Sequence, residues 1–275
     1  MKSSASLVRR FGINELGRDF AVGDIHGEFS LVLEALELAG FDGRADRLFC
    51  VGDLIDRGSE CHKVLEFLTT PGIFSIKGNH EDDLVGVAKS SKAGVPKLLE
   101  IACREIGVMW WHELDEGLRG EIVEEFAALP LAFEVKTHQG VVGIVHAEPV
   151  PSLSWSYFVE LLEQGEELAV ESALRGREVA EGREEGCYGD VWRVFAGHTP
   201  APGGMESFGN LLCIDTGAVF GKHGAGNKGH LTLARIDAPD FELRKERSMS
   251  GLIEIKGCKV LGQDMPMDKA SMGLG

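Results

Sequence analysis

Two carboxylates and a guanidinium stand close together in the stretch Gly52-Asp53-Leu54-Ile55-Asp56-Arg57-Gly58, directly after the apolar run 47–51. Such a short apolar run is typical of a buried strand, and the two glycines allow the backbone to turn sharply beside a ligand. Ligands bind at the carboxyl ends of strands in open α/β sheets, and charges are costly to bury there without a partner. Taken alone, the stretch fits either a polar turn or a ligand site.

The same order of apolar run, glycine and polar side chains occurs again along the chain. It is present in Gly23-Asp24-Ile25-His26-Gly27 and in Gly78-Asn79-His80-Glu81, and related strand ends are predicted at His146-Ala147-Glu148-Pro149 and Gly197-His198-Thr199-Pro200. Six side chains at these strand ends have donor atoms that could bind a metal ion: Asp24, His26, Asp53, Asn79, His146 and His198. Six coincidental placements at strand ends are hard to accept, so the repetition favours a ligand site.

The donors are carboxylates, imidazoles and an amide oxygen, with no thiolate among them. This set suits Mn²⁺, Fe²⁺ or Zn²⁺ better than softer ions. Six donors are too many for one four-coordinate zinc, but they fit two ions that share a bridging carboxylate, for which Asp53 is the natural choice. Two metals ~3.5–4 Å apart can generate hydroxide at neutral pH and clamp the oxygens of an in-line displacement at phosphorus.

Three further residues would complete such a site. His80 directly follows Asn79, so we expect it to face the substrate rather than the metals, where it could protonate the leaving oxygen. Asp56 would orient His80 and keep it protonated, because a nearby carboxylate favours the imidazolium. Arg57 would hold phosphate oxygens through bidentate hydrogen bonds.

Other chemically active side chains lack a glycine-bounded strand end. The remaining histidines are interpreted as packed or solvent-facing: His62, His112, His138, His223 and His230. Trp110 and Trp111 are interpreted as core residues, and the acidic run 163–171 as a solvated helix face.

Composition limits the class of partner. The 275 residues carry a formal net charge of −16, which argues against nucleic acid held by a general basic surface. The six cysteines are scattered without a CxxC pair, which favours a reducing compartment. The first ten residues lack the apolar stretch of a signal peptide, and no run reaches the ~18 apolar residues of a membrane span. We therefore expect a cytoplasmic protein with neither a nucleic-acid nor a membrane partner; its oligomeric state is left open.

Alternating strands and helices must position these residues. Strands are predicted at 18–23, 47–51, 72–77, 131–136, 141–145, 191–196, 211–214, 231–236 and 252–255. Helices are predicted at 28–40, 61–68, over much of 83–130, and in a charged insert at 157–181. The polar motifs run from residue 23 to residue 218 without a linker, which predicts one catalytic domain over 1–238 and a C-terminal extension of unknown role over 239–275, with its last dozen residues loosely ordered.

Together, the motifs quoted above resemble the calcineurin-like metallophosphoesterases, and more closely the bacterial and bacteriophage lambda-type branch of the phosphoprotein phosphatase family. The resemblance covers about residues 17–236. It implies an α/β fold, with a central β-sandwich of two mixed sheets flanked by helices and a dinuclear metal site at one edge. It also implies hydrolysis of phosphate monoesters on Ser, Thr and sometimes Tyr of a phosphoprotein or phosphopeptide, usually with two Mn²⁺ ions, Fe or Zn being alternatives.

The resemblance assigns roles by motif. Asp24 and His26 belong to one metal, Asp53 bridges both, and the second metal takes the remaining three ligands, Asn79, His146 and His198. A metal-bridging hydroxide attacks in line, with His80 as the general acid paired with Asp56.

Two departures from the family pattern concern the phosphate-binding side of the site. A second phosphate-binding arginine usually occurs in a Leu-Trp-x-Arg context, and Leu174-Arg175-Gly176-Arg177 nominates Arg177 here, with Arg175 in place of the tryptophan. His146-Ala147-Glu148-Pro149 also differs from the branch's usual His-Ala-Asp-Tyr-Pro, which would alter the substrate groove.

Two other functions compete with this interpretation. Hydrolases of small phosphoanhydrides such as diadenosine tetraphosphate share the metal motifs but typically carry alanine where this chain has Asp56. A non-catalytic docking protein on a retained phosphatase scaffold would have lost at least one ligand or catalytic residue, and none of the motif positions is missing. A phosphomonoesterase that accepts phosphoproteins is therefore the favoured function, without a named substrate or a Ser/Thr against Tyr preference.

Overall fold

Strands and helices alternate along the computed structural model, which describes residues 6–91, 109–223, 229–238, 253–255 and 258–261. The first half contains, in order, β1 (Val8–Phe11), β2 (Asp19–Val22), α1 (Phe29–Leu38), β3 (Arg47–Cys50), a 3₁₀ turn at Cys61–Lys63, α2 (Val64–Leu68), β4 (Ile73–Ser75) and α3 (Asn79–Ser91). The strands that precede the three glycine motifs of this half are present as predicted.

The second half supplies the remaining strands and helices. They are α4 (Met109–His112), α5 (Glu116–Ala128), β5 (Ala132–Thr137), β6 (Gly140–Val145), α6 (Trp155–Gln164), α7 (Glu167–Arg175), β7 (Arg193–Ala196), β8 (Glu206–Phe208), β9 (Leu211–Cys213), α8 (Ala218–His223), β10 (Leu231–Arg235), β11 (Ile253–Ile255) and β12 (Cys258–Leu261).

The strands form two six-stranded mixed sheets. The first sheet has the order β4-β3-β2-β10-β12-β11, and the second has the order β1-β5-β6-β7-β9-β8. Within them, β2, β3 and β4 are parallel neighbours, as are β6, β7 and β9. Each sheet therefore presents several carboxyl strand ends at one edge, which is where the polar motifs lie.

The two sheets pack face to face. Alternate residues of one strand point to opposite sides, so Phe49 packs between the sheets while Leu48 joins the helices outside the first sheet. Helices α1, α2 and α5 cover the outer face of the first sheet, and α6 and α7 cover that of the second. This arrangement confirms the predicted α/β fold with two mixed sheets flanked by helices, and burial on both faces explains why inner strands such as β6 and β9 are apolar.

Some element predictions were wrong in detail. The insert expected to be helical over 157–181 forms two helices, separated by Gly165 with φ 73°, and the helical part ends at Arg175. Strands β1, β8 and β12 and helix α8 were not predicted at all. Residues 92–108, part of the predicted helical stretch 83–130, and the final dozen residues lie outside the described part of the chain.

The region beyond residue 238 contributes to the first sheet, since β12 pairs in parallel with β10 and β11 pairs with β12. The division into a catalytic domain and an extension at this residue stays a prediction. Among the described helices, none is long and apolar enough to cross a membrane.

Candidate active site

The predicted site residues converge on one edge of the β-sandwich. The loop after β2 carries Asp24 and His26, the loop after β3 carries Asp53, and helix α3 begins with Asn79 and His80. The second sheet contributes His146 after β6 and His198 after β7. Contacts join the two sheets here: Asp53 Oδ1 lies 3.4 Å from His146 Nε2, and the backbone N–H of His198 donates to Asp24 Oδ1 and Oδ2 at 3.1 Å.

Five residues in the loops of the candidate site adopt a left-handed backbone conformation that non-glycine residues rarely take. They are His26 (φ 46°), Asp53 (φ 49°), Asp56 (φ 71°), Arg57 (φ 67°) and His198 (φ 67°). Such conformations cost of order 1–3 kcal/mol each and persist where the surrounding structure requires them, as at catalytic and ligand sites. The strain is concentrated at the sheet edge where the polar motifs meet.

The orientation of two imidazoles shows what the site can hold. His26 Nδ1 lies 2.7 Å from the carbonyl oxygen of Ile55, and His146 Nδ1 lies 2.8 Å from that of Val51. A carbonyl only accepts, so each Nδ1 carries the proton and each neutral ring has a lone pair on Nε2. Those Nε2 atoms lie 3.7 Å and 3.4 Å from the Asp53 carboxylate, which is also an acceptor. A cation bound between them would interact favourably with the lone pairs of the Nε2 atoms and of the Asp53 carboxylate.

The pKa shifts agree with neutral imidazole ligands. Burial lowers the pKa of His26 and that of His198 to about 3, and it lowers the pKa of His146 as well. Burial alone would raise the pKa of Asp53, but His146, His26 and His80 outweigh it and lower that pKa. Buried neutral imidazoles around an ionised carboxylate form a donor set that fits a divalent ion.

Among the residues that the structure describes, two groups of donors share Asp53. One consists of His26, Asp53 and His80, and the other of Asp53, His146 and His198; within each group the donor atoms lie within 4.8 Å of one another. A shared carboxylate is the arrangement that a bridging role for Asp53 would need. His80 was expected to face away from the metals, yet its Nε2 lies 3.8 Å from Asp53 Oδ2, at the margin of the first group.

The other two predicted ligands lie at the same edge but outside these groups. Asn79 Oδ1 lies 3.0 Å from His146 Nε2. Asp24 is 3% exposed, and its pKa is raised by burial and by the neighbouring carboxylates of Asp215 and Asp53. Burial and these carboxylates therefore disfavour the ionised form of Asp24, an effect that a cation bound at this edge would oppose.

His80 is held by Asp56 in the way expected of an acid pair. Its Nδ1 lies 2.6 Å from Asp56 Oδ2, and the other carboxylate oxygen accepts a 2.9 Å hydrogen bond from Trp110 Nε1. Burial alone would lower the pKa of His80, but the Asp56 hydrogen bond and the charge of Asp53 outweigh it and raise that pKa. Trp110, interpreted from sequence as a core residue, thus also positions the Asp56 carboxylate.

The arginines occupy different places around the site. Arg57 is exposed and its Nη1 contacts His26 Nε2. Arg177 donates from Nη1 to Thr199 Oγ1 at 3.2 Å and from Nη2 to the carbonyl oxygen of His198 at 3.4 Å. Arg175 instead pairs with Asp83 at 2.6 Å on α3. Arg177 therefore contacts the strand end that carries His198, as its nomination requires, whereas Arg175 is engaged by a surface carboxylate.

Glu81 is a structural residue of the site that was quoted within a motif but given no role. It is fully buried, and its carboxylate accepts from the backbone N–H groups of Gly78 at 2.8 Å, Asp53 at 3.0 Å and Leu54 at 2.8 Å. Burial and the charge of Asp53 raise its pKa to about 7. Glu81 thereby ties the loop after β3 to the start of α3, and its position directly after His80 was the only sequence signal for it.

A family comparison fits this geometry. The family model described as calcineurin-like phosphoesterase matches residues 20–221. The chain belongs to the calcineurin-like phosphoesterase family. It is therefore a hydrolase of the metallophosphoesterase superfamily, whose members normally use divalent metals, and the His/Asp groups around Asp53 are the candidates for holding them.

Curated relatives of this metallophosphoesterase include protein phosphatases and dinucleotide tetraphosphatases. It is 32% identical to serine/threonine-protein phosphatase 1 of Salmonella typhimurium over 79% of this chain and 91% of the relative. It is 28% identical to serine/threonine-protein phosphatase 2 of Escherichia coli over 79% of this chain and 92% of the relative. A symmetrical bis(5'-nucleosyl)-tetraphosphatase of Aromatoleum aromaticum is 33% identical over only 34% of this chain and 38% of the relative.

Solved structures support the fold. A candidate diadenosine tetraphosphatase aligns with a TM-score of 0.53 at 22% identity, covering 83% of this chain and 93% of that one. At that identity, the likeness bears on the architecture alone.

Proposed function

We propose that this metallophosphoesterase is a phosphomonoesterase that dephosphorylates phosphoproteins on serine and threonine, with phosphotyrosine as a further substrate to test. The observation that carries the proposal is the 2.6 Å hydrogen bond between His80 Nδ1 and Asp56 Oδ2. The bond leaves His80 Nε2 free to carry a proton at the margin of the metal-donor groups.

The nature of the leaving group makes this pair informative. Hydrolysis of a serine or threonine phosphate expels an alkoxide, which is a strong base and needs a proton as the bond to phosphorus breaks. Cleavage of a phosphoanhydride expels a phosphate that is stable as an anion. A histidine kept protonated by a carboxylate therefore contributes more to monoester hydrolysis than to anhydride hydrolysis.

The proposed metal ligands are those that the motifs predict: Asp24, His26, Asp53, Asn79, His146 and His198. Bound divalent ions, with Mn²⁺ first and Fe or Zn as alternatives, would lower the pKa of water and neutralise charge on the phosphoryl group. The buried, neutral imidazoles of His26, His146 and His198 support this assignment.

Two guanidiniums are proposed to bind the phosphate oxygens. Arg57 lies beside His26, and Arg177 lies beside His198, so the two flank the metal-donor groups from the first and the second sheet. Guanidinium groups bind phosphate oxygens through paired hydrogen bonds. They would supply the local positive charge that a phosphate ester needs on a protein of net charge −16.

The second candidate is a hydrolase of small phosphoanhydrides such as diadenosine tetraphosphate. The similarity to symmetrical bis(5'-nucleosyl)-tetraphosphatases favours it, but that similarity spans 34% of this chain for one such relative and 59% for another, against 79% for the protein phosphatases. We place the catalytic domain at 1–238 and propose a cytoplasmic protein, which the free thiols of Cys50, Cys61, Cys187 and Cys213 support.

The two candidates are separated by one assay. Metal-stripped protein is refilled with Mn²⁺, and hydrolysis of a phosphoserine peptide, a phosphotyrosine peptide and diadenosine tetraphosphate is compared at equal concentrations. We expect Mn²⁺-dependent turnover of the peptides to exceed that of the dinucleotide. Faster cleavage of the dinucleotide would assign the protein to the anhydride hydrolases despite Asp56, and no turnover of any substrate would favour a docking function.

A further inference from the structure

The turn that carries Arg177 is bound by a buried carboxylate from another loop. Glu148, two residues after His146, is 1% exposed. Its Oε1 accepts from the backbone N–H of Glu178 at 2.6 Å, and its Oε2 accepts from that of Val179 at 3.0 Å. A carboxylate that accepts from two consecutive backbone N–H groups fixes the direction of that backbone.

The contact continues on the other side of Arg177. A Cβ added to Gly176 would lie 2.6 Å from Glu148 Cγ, so the glycine permits the side chain to pass close against the backbone. Ser172 Oγ donates to the carbonyl oxygen of Glu148 at 3.0 Å, and the N–H of Ala147 donates to the carbonyl oxygen of Ala173 at 2.8 Å. Glu148 is therefore attached to the end of α7 as well as to the turn that follows it.

Glu148 thus contacts the backbone on both sides of Arg177, at residues 176 and 178, while the Arg177 side chain points to a different loop. Its guanidinium donates to Thr199 Oγ1 and to the carbonyl oxygen of His198, in the loop after β7. Arg175, two residues earlier, reaches Asp83 instead. Arg175 is the last residue of α7, whereas Arg177 lies in the turn whose next two backbone N–H groups bind Glu148.

We infer that Glu148 is a positioning residue for Arg177: it fixes the turn 176–179 so that the Arg177 guanidinium, and not that of Arg175, faces the phosphoryl group. The inference rests on the proposed function of Arg177 and deepens it. Glu148 itself makes its contacts with backbone N–H groups of the turn, so its effect on phosphate binding passes through Arg177.

The side chain's shape makes the inference specific. Both oxygens of Glu148 accept from N–H groups, so glutamine, which keeps the length but replaces one oxygen with a donor, loses one of the two bonds. Aspartate keeps the charge but is one methylene shorter. Glu178 provides a matched control, because its side chain is exposed and pairs with Arg183 while only its backbone contacts Glu148.

A double-mutant cycle in the full chain tests the inference. Mn²⁺-loaded wild type, Glu148→Gln, Arg177→Ala and the double variant are compared for kcat and KM on the phosphoserine peptide, with Glu178→Gln alongside. Loss of one buried hydrogen bond is worth about a tenfold effect, which we expect as a raised KM with a smaller change in kcat. In the Arg177→Ala background, Glu148→Gln should change kcat/KM by less than twofold.

A second tenfold loss in that background would overturn the inference, because Glu148 would then act by another route. So would an unchanged KM in folded Glu148→Gln. If thermal unfolding shows that Glu148→Gln is not folded, the same cycle is run with Glu148→Asp.

Two measurements keep this test separate from the proposed function. Amide hydrogen exchange of the peptide spanning 176–181 should accelerate in Glu148→Gln and stay unchanged in Glu178→Gln, whatever the substrate. Calorimetric binding of inorganic phosphate to the Mn²⁺-loaded protein should weaken about tenfold in Glu148→Gln. If the wild type cleaves no phosphate ester but these two changes occur, the proposed function fails and the positioning role stands. Unchanged exchange would refute the positioning role even in an active phosphatase.

Discussion

Buried carboxylates lie at both ends of strands β2 and β3, but their charge partners differ between the two ends. Where the strands begin, Asp19 pairs with Arg47 at 2.6 Å, and Asp46 pairs with Arg18 at 2.6 Å. Each arginine is the direct neighbour of the other pair's aspartate in sequence, and the parallel register of the two strands brings the pairs together. These carboxylates are 4% and 5% exposed, and each has its permanent cation.

Where the same strands end, Asp24 and Asp53 are just as buried, at 3% and 2% exposure. Within the described part of the chain, neither forms an ion pair with a lysine or an arginine; Asp53 faces histidines, and Asp24 accepts from a backbone N–H. An uncompensated buried charge is strongly unfavourable. The carboxylates at the first end are neutralised by arginines of the chain itself, whereas those at the second end have the surroundings that a divalent cation would need.

Among variants at the two strand ends, Asp53→Asn is expected to have the largest effect, on metal content and on kcat/KM. The substitution removes the carboxylate shared by both donor groups, so we expect loss of most bound metal and a drop in kcat/KM of at least about a thousandfold. Metal content after gel filtration, measured by mass spectrometry, checks the first point. Asp46→Asn should keep its metal and serves as control. A full complement of two ions in Asp53→Asn would show that Asp53 does not bridge.

His80→Asn separates proton transfer from metal binding at the same end. A general acid contributes typically about 10²–10⁴-fold, so kcat should fall by that order while metal content stays near normal. The loss should be larger for a phosphoserine peptide than for an aryl phosphate, because the aryl oxide leaves without a proton more readily. Equal losses on the two substrates, or loss of metal, would contradict the acid role.

Asp46→Asn tests the opposite end, where we expect lower stability and intact chemistry. Removing one partner of a largely buried pair should lower the free energy of unfolding by about 1–3 kcal/mol, discounted because Arg18 is partly exposed. Burial alone would raise the pKa of Asp46, but the hydrogen bonds from Arg18 outweigh it and lower that pKa.

The sign of the pH dependence follows from the lowered pKa. The stability that Asp46 contributes is present above the carboxyl's unfolded pKa of about 3.9 and is lost as the pH falls through the lower folded value. Denaturation midpoints of wild type and Asp46→Asn should therefore differ at pH 7 and approach each other in acid. A gap that widens below pH 4 would contradict the ion pair's role.

Asp24→Asn is expected to change the stability of the metal-free protein least of these variants, and to raise it rather than lower it. Without metal, the variant should be more stable than wild type by about 1 kcal/mol, since it removes a buried carboxylate that faces Asp215 and Asp53. Added Mn²⁺ should raise the melting temperature of wild type more than that of the variant. A metal-free variant less stable than wild type would show that this carboxylate is compensated within the protein.

Much of the site was predictable because its residues follow apolar runs in a repeated local pattern. The runs before Asp24, Asp53 and Asn79 form adjacent parallel strands, so their ends meet without further information. The repetition of glycine and polar residues then indicated which side chains would be close together. His146 and His198 were nominated in the same way, and they reach the same edge although they lie on the other sheet.

The positioning residues were not predictable, because their partners are backbone groups. Glu81 and Glu148 bind N–H groups of loops that no sequence pattern identifies as neighbours. Trp110 was assigned to the core from its type, and only the fold shows its indole N–H at Asp56. Strand β1 was missed because two of its four residues are arginines; Arg10 is exposed and pairs with Glu134.

The left-handed backbone of the site loops also constrains how the protein can evolve. At position 57, an exposed site with φ 67°, substitutes differ in backbone cost independently of their charge. Glycine and asparagine tolerate this conformation, while valine and isoleucine do not. In a library of variants at this position, abundance in the cell should follow that order even though every member has lost the guanidinium. If selection for catalysis were lost, we would expect glycine to replace the residues at these left-handed positions, because it removes the backbone strain.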